Sequence, residues 1–283
     1  MLQDLRLTIV VENSATHRNS AWAAHGLSIF LELGCGSEKM KLLLDTGASS
    51  EVMLHNADAL HIDLEHLDLI CLSHGHYDHT GGLMGILQRL NSRICILAHP
   101  DIFAPKLKDR PALKFIGPPF TRTEAEAAGA IMLEARGPVA ILPEVMTTGE
   151  VPRIEPFEKV EGFWTIKDGQ YCLDSIPDDQ ALAINMHGKG LAVITGCAHA
   201  GIINTIKQAQ KITGIEELYA VIGGFHLMDA DEKRIEATAE ALRQLDPTIV
   251  RPGHCTGHKA VCRLQEALGG RCRPLAVGDS IQL

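Results

Sequence analysis

No apolar run in this 283-residue sequence approaches the roughly 20 residues that a membrane span requires; the longest, such as GLAVITG at 190–196, are far shorter. The first residues, MLQDLRLTIVVENS, lack the basic stretch, apolar stretch and small-residue cleavage site of an export signal. A cytoplasmic location without membrane association is therefore expected. The eight cysteines include no C-x-x-C pair and are too sparse for a secreted disulfide scaffold, so buried reduced thiols are expected. Positive charge is not in excess either. The net charge of −9 argues against a nucleic-acid partner and leaves a small-molecule substrate as the expectation. A homo-oligomer is compatible with this composition. G-x-G-x-x-G after a strand, a P-loop and G-x-S-x-G are all missing, which leaves metal as the expected cofactor. There is no low-complexity tract and no short repeat.

What is present is an ordinary globular balance, 46% hydrophobic and 22% charged, over a length that suits one large domain or two smaller ones. LRLTIVV, LSIFLEL and KLLLD read as strands joined by short turns, which predicts an antiparallel start. Helices are predicted at SSEVMLHNADAL and GLMGILQRL, with strands at LDLICLS and RICILA and a short helix opening at AHPDIF. The second half is predicted to hold a hairpin of ALAINMH and GLAVITG and a helix at AGIINTIKQAQKI. The strand LYAVIGG, the helix DEKRIEATAEALRQL, the strand TIVRP, the helix KAVCRLQEAL and a last strand near RPLAV complete the chain. Two β-then-α halves suggest an α/β fold of four layers, an αββα sandwich, over residues 1–283 as a single domain. Between about 110 and 175 the pattern weakens and Pro and Gly accumulate, as in a lid or substrate wall. Its aromatic residues Phe157, Phe163, Trp164 and Tyr171 are candidates to stack on a flat ring, or else core beneath a long loop.

Fourteen histidines stand out, and three of them fall in SHGHYDHTGG at 73–82, directly after an apolar strand. Imidazole and carboxylate suit zinc, iron or manganese in a mixed N/O site. In extended backbone, residues i and i+2 point the same way, so His74 and His76 can grip one ion. Asp78 and His79 fall on the next turn, within reach of a second. Two ions roughly 3.5–4 Å apart can share a hydroxide and clamp both sides of a displacement. Gly75, Gly81 and Gly82 would let the backbone bend tightly there.

This stretch resembles the H-x-H-x-D-H signature of the metallo-β-lactamase superfamily, and LLLDTG upstream resembles that superfamily's bracing aspartate. ITGCAHAGIINT, VIGGFHL and RPGHCTGHKA resemble one branch, the 7,8-dihydropterin-6-yl-methyl-4-(β-D-ribofuranosyl)aminobenzene 5′-phosphate synthase-related proteins. The resemblance runs from near residue 7 to the C-terminus and implies an αββα fold with a dinuclear centre at one sheet edge. It implies His74, His76 and His199 on the first ion, Asp78, His79 and His254 on the second, and Asp45 orienting a ligand. The sequence departs from that pattern at ITGC, where many relatives carry a bridging aspartate and this chain has Cys197. Either His199 supplies the missing third histidine, or Cys197 bridges, or both. A thiolate would favour zinc or iron over manganese.

The implied activity is that of a metallo-hydrolase using a dinuclear-metal hydroxide on a phosphoester, ester or lactone. Two divalent ions, zinc before iron or manganese, are the expected cofactors, and Asp78 is expected to orient the hydroxide. His226, in a loop after a strand, is either a core histidine or a donor to a developing oxyanion. The alternative is a metal-assisted condensation of a pterin with an aryl ribofuranosyl phosphate. An iron redox or sensor protein is disfavoured, because oxygen-reducing relatives carry a glutamate where this chain has His76. His25 and His258 read as a turn residue and a surface or supporting residue; His17, His55, His61, His66, His99 and His187 show no partner pattern.

Overall fold

The structure, a computed structural model, describes residues 2, 4–17, 20–35, 38–109, 111–159 and 161–283. Seven strands form a first sheet in the order Ser280–Gln282, Asp4–Val11, Ser28–Cys35, Glu38–Leu44, Leu69–Cys71, Ile94–Ala98 and Ala130–Glu134. Its beginning is antiparallel, as expected, and it turns parallel from Glu38–Leu44 onward. Six strands form a second sheet in the order Ile249–Gly253, Leu218–Gly224, Gly190–Thr195, Ala181–Met186, Val145–Thr147 and Ala140–Leu142.

The two-residue period of a strand decides what each face meets. Ile29, Leu31, Leu42 and Leu44 point between the sheets, where they join Leu182, Ile184, Ala192, Ile194, Ala220 and Ile222. Phe30, Leu43, Ile70 and Ile96 point outward and are covered by Met53 and Ala57 of the helix Ser50–Ala59 and by Leu83 and Ile86 of Leu83–Arg89. On the second sheet, Ala183, Leu191, Val193 and Val221 meet the helices Ile202–Thr213, Glu232–Leu245 and His258–Leu268. The result is the four-layer αββα sandwich, with three apolar layers of which each buried Leu or Ile contributes roughly 1.5–3 kcal/mol.

The ends of the parallel strands carry the candidate residues. Glu38–Leu44 and Leu69–Cys71 run parallel, as do Gly190–Thr195, Leu218–Gly224 and Ile249–Gly253. Their carboxyl ends release the loops beginning at Asp45, Ser73, Gly196, Phe225 and His254. In open α/β sheets ligands bind outside the carboxyl ends of strands, and all the candidate residues sit on such loops.

Two sequence expectations are corrected. RPLAV forms no strand; the last strand is Ser280–Gln282, which pairs with Asp4–Val11, while Val277 only bridges Ala15. The stretch from about 110 to 175 divides. Arg122–Ala127, Ala130–Glu134, Ala140–Leu142 and Val145–Thr147 belong to the main layers. Lys114–Phe115, Phe163–Lys167 and Gln170–Leu173 instead join Leu107–Lys108 in a small four-stranded sheet beside the metal loop. Among the described residues no helix is long and apolar enough to cross a membrane.

Candidate metal centre

Backbone strain marks the site before any side chain does. Asp45, Ala198, His226 and His254 all adopt left-handed torsions, with φ of 59°, 55°, 47° and 51°. Such torsions are unfavourable for residues with a Cβ and concentrate at functional loops. At Ala198 the consequence is direct: the turn lets Cys197 and His199 face different neighbours.

Asp45 organises the histidines from below. Its carboxylate accepts from Ser73 N and Ser73 Oγ, each at 2.7 Å, and from His79 Nδ1 at 2.7 Å. Because the Ser73 hydroxyl donates to Asp45, it accepts from His74 Nδ1 at 2.9 Å. That aims Nε2 of both His74 and His79 away from Asp45, as a bare lone pair on His74 and as the titrating nitrogen on His79. His254 is fixed the same way, with Nδ1 donating to Asn13 Oδ1 at 3.2 Å and its backbone N–H to Glu12 Oε1 at 2.5 Å.

The ring nitrogens then converge in two groups. His74 Nε2 lies 2.9 Å from His76 Nδ1 and 3.2 Å from His199 Nε2. His79 Nε2 lies 3.1 Å from Cys197 Sγ and 3.2 Å from His254 Nε2, which is itself 3.3 Å from Asp78 Oδ2. The groups adjoin, with the His74 and His79 rings 4.2 Å apart. Nitrogens bound to one zinc at about 2.1 Å in tetrahedral geometry stand about 3.4 Å from each other, so the donor sets fit a divalent ion each. Burial holds His74 and His199 well below the usual histidine range and His76 down to about 3, which keeps them in the neutral, metal-binding form.

His79 differs. Burial alone would favour its neutral ring, but Asp45 and Asp78 push its pKa up to about 9. That proton must leave before Nε2 can bind a metal. Metal titration of the apoprotein near neutral pH is therefore expected to release about one proton from His79, with affinity rising as pH approaches 9. Calorimetry in buffers of different ionisation enthalpy checks this; heats that do not depend on the buffer exclude it.

Glycines let these loops come close. A Cβ at Gly75, between His74 and His76, would run into the carbonyl oxygen of Ile102. At Gly196, one would run into Ser73 Oγ, the group that sets the His74 tautomer. Neither Gly75, Gly81 nor Gly82 has a positive φ, so the requirement is close approach and not the unusual bend expected from the sequence.

A cleft of about 1030 Å³ opens over both groups, with His25, His76, Asp78, Cys197, His199 and His226 among its lining residues. His226 lies beside His199, ring centroids 4.1 Å apart, and its Nδ1 is buried without a hydrogen-bond partner among the described residues. Phe163 stacks on His76 at 5.3 Å. Phe157 also lines the cleft, whereas Trp164 and Tyr171, on the opposite face of the small sheet, stack on each other at 4.6 Å away from it. His258 is exposed near Cys262, and His55 stacks on Trp22.

Three contributors were not singled out from the sequence. His25, read as a turn residue, donates Nε2 to Asp78 Oδ2 at 3.0 Å. Cys255 brings a second thiol beside Cys197 and His254. Lys106, almost wholly buried, pairs with Asp178 at 2.5 Å and Asp174 at 3.2 Å, and Asp178 accepts from Gly75 N at 2.8 Å. Only Cys255 carried a usable signal, as the neighbour of His254.

Known proteins place this geometry in context. A sequence model of the metallo-beta-lactamase superfamily matches residues 24–169. The chain is 37% identical over 265 residues to the 7,8-dihydropterin-6-methyl-4-(beta-D-ribofuranosyl)-aminobenzene-5'-phosphate synthase of Methanocaldococcus jannaschii, covering 92% of this chain and 90% of that protein. An uncharacterized protein of the same organism is 32% identical over 262 residues, covering 92% of this chain and 94% of its own. Among solved structures, Tm1679, described as a metal-dependent hydrolase of the beta-lactamase superfamily, matches with a TM-score of 0.83 at 26% identity, covering 99% of each chain.

Proposed function

The chain belongs to the metallo-beta-lactamase superfamily, and from that premise we propose that it is a metal-dependent hydrolase of a small phosphoester, or of a related ester or lactone. The observation that carries the reading is the convergence of imidazole nitrogens in two adjoining groups at the floor of an open cleft, those of His74, His76 and His199 neutral through burial. His74, His76 and His199 would hold one divalent ion and Asp78, His79 and His254 the other, with Cys197 beside the second; zinc suits the nitrogen and sulfur donors best. Bound there, the ions would lower the pKa of water toward neutrality and offset charge on the attacked group.

The protein's own groups supply the rest. Asp78 can orient the attacking water, and His25, half-exposed and hydrogen-bonded to Asp78, can pass its proton to solvent. His226 presents an unpartnered ring nitrogen beside His199, where it can donate to an oxyanion as charge develops. Phe163, stacked on His76, keeps water from that side of the centre. A small-molecule substrate agrees with the net charge of −9, which disfavours nucleic acid.

A second reading is favoured by one observation, the 37% identity over 92% of the chain to a synthase that joins a pterin to an aminobenzene ribofuranosyl phosphate by its name. In that reading the chain condenses a pterin with an aryl ribofuranosyl phosphate, and Phe157 and Phe163 give the pterin an apolar wall. Assaying the metal-loaded protein on p-nitrophenyl phosphodiesters, lactones and thioesters beside a pterin diphosphate and its aryl partner separates the two. Hydrolysis is the expected outcome, condensation alone would replace the first reading by the second, and turnover of nothing would remove both.

A further inference from the structure

Lys108 and Lys114 stand directly opposite each other in the ladder between Leu107–Lys108 and Lys114–Phe115. Like charges on facing positions of an antiparallel pair repel. Among the described residues neither ammonium has a carboxylate within ion-pair distance, although acids outnumber bases in the chain, 35 to 26. Both side chains line the cleft. Lys108 Nζ lies 5.8 Å from the centroid of the Phe163 ring and Lys114 Nζ 5.5 Å from that of Tyr77, so each ammonium rests over an aromatic face. Phe163 is the ring stacked on His76, and Tyr77 sits between His76 and Asp78 in the chain. Both ammoniums therefore lie against an aromatic ring that is itself stacked on, or adjacent in the chain to, candidate metal ligands.

A fold gains nothing from facing two uncompensated lysines across a short edge ladder. An arriving dianion would neutralise both at once and accept from their N–H groups, which are point-charge donors suited to phosphate. We propose that Lys108 and Lys114 clamp a phosphate or phosphonate dianion carried by the substrate at a distance from its reacting bond. The inference rests on the cleft being the substrate site, and not on which bond is broken there. It makes the substrate a small molecule with two recognised ends, one facing His76 and His199 and one anionic, with the Phe163 ring between the groups that recognise them.

The test uses the full-length, metal-loaded protein and phenylphosphonate, which it cannot hydrolyse, as the probe in calorimetric titrations. Lys108→Met and Lys114→Met are each expected to weaken binding about tenfold or more, the scale of a charge-assisted hydrogen bond, and the double variant to retain only what the metals hold. Metal content is expected to stay unchanged, and the melting temperature to stay level or rise, because a repulsion is removed. Equal phenylphosphonate affinity in the double variant would mean that the metals alone hold the anion, and overturns the clamp. A fall in melting temperature that accompanies the lost affinity overturns it too, since the lysines would then be structural. A second arm compares an aryl ester with its analogue bearing a pendant phosphonate. The wild type is expected to favour the phosphonate ester through KM, and the double variant to lose that preference at least about a hundredfold. Should neither ester turn over, the hydrolase reading fails while the titration still decides the clamp.

Discussion

Replacing His76 by alanine is expected to abolish turnover and lower the metal content of the purified protein. Its Nδ1 lies 2.9 Å from His74 Nε2 inside the first donor group. The ring also carries the contact with Phe163 that closes one side of the centre. Loss of a residue that merely supports a ligand typically costs 10–100-fold in affinity or activity, and loss of a ligand costs more. Activity should thus fall by more than about a hundredfold, with metal per protein falling in parallel by elemental analysis. His76 is also buried and neutral, so its removal leaves no stranded charge and the variant should fold. Full activity at full metal content would refute the assignment of this residue.

Lys106→Met should be the most damaging change outside the donor groups. The ammonium is buried with Asp178 and Asp174, and removing one partner of a buried ion pair costs about 3–5 kcal/mol because the remaining charge is stranded. The damage would not stay local. Lys106 leads into the small sheet and Asp174 comes directly after it, while Asp178 holds the backbone of Gly75 between two donor histidines. Equilibrium denaturation should show stability lowered by that amount, with weakened metal retention. Lys106→Met combined with Asp174→Leu and Asp178→Asn should recover most of the stability, since no buried charge is then unpaired. A single variant as stable as the wild type would show that the triad does not brace the loop.

How far the sequence led depended on how local each signal was. The strands, helices and four layers came from period-two and period-3.6 patterns, and the H-x-H-x-D-H loop declared itself by residue type alone. Cys197 was recognised as a departure, and its side chain does lie 3.1 Å from His79 Nε2. Long-range pairings were out of reach. Lys106 carries no signal in the sequence, because its partners lie 68 and 72 positions away. His25 read as a turn residue because its partner Asp78 sits on another loop. Trp164 and Phe163 looked equivalent as aromatics, yet neighbouring strand residues face opposite ways and only Phe163 reaches the metal ligands. The lysine ladder escaped notice for a related reason: register between two-residue strands cannot be read from composition.

The two donor groups are not built from one sheet each. His74, His76, Asp78 and His79 hang from the first sheet, whereas Cys197, His199 and His254 hang from the second. Any ion seated among them would be a rivet through the sandwich. Its binding free energy would count toward cohesion between the halves as well as toward chemistry, since whatever binds only the folded chain stabilises it. A lesion that lets the sheets slide would loosen the metal, and a chelator would soften the protein along the same seam.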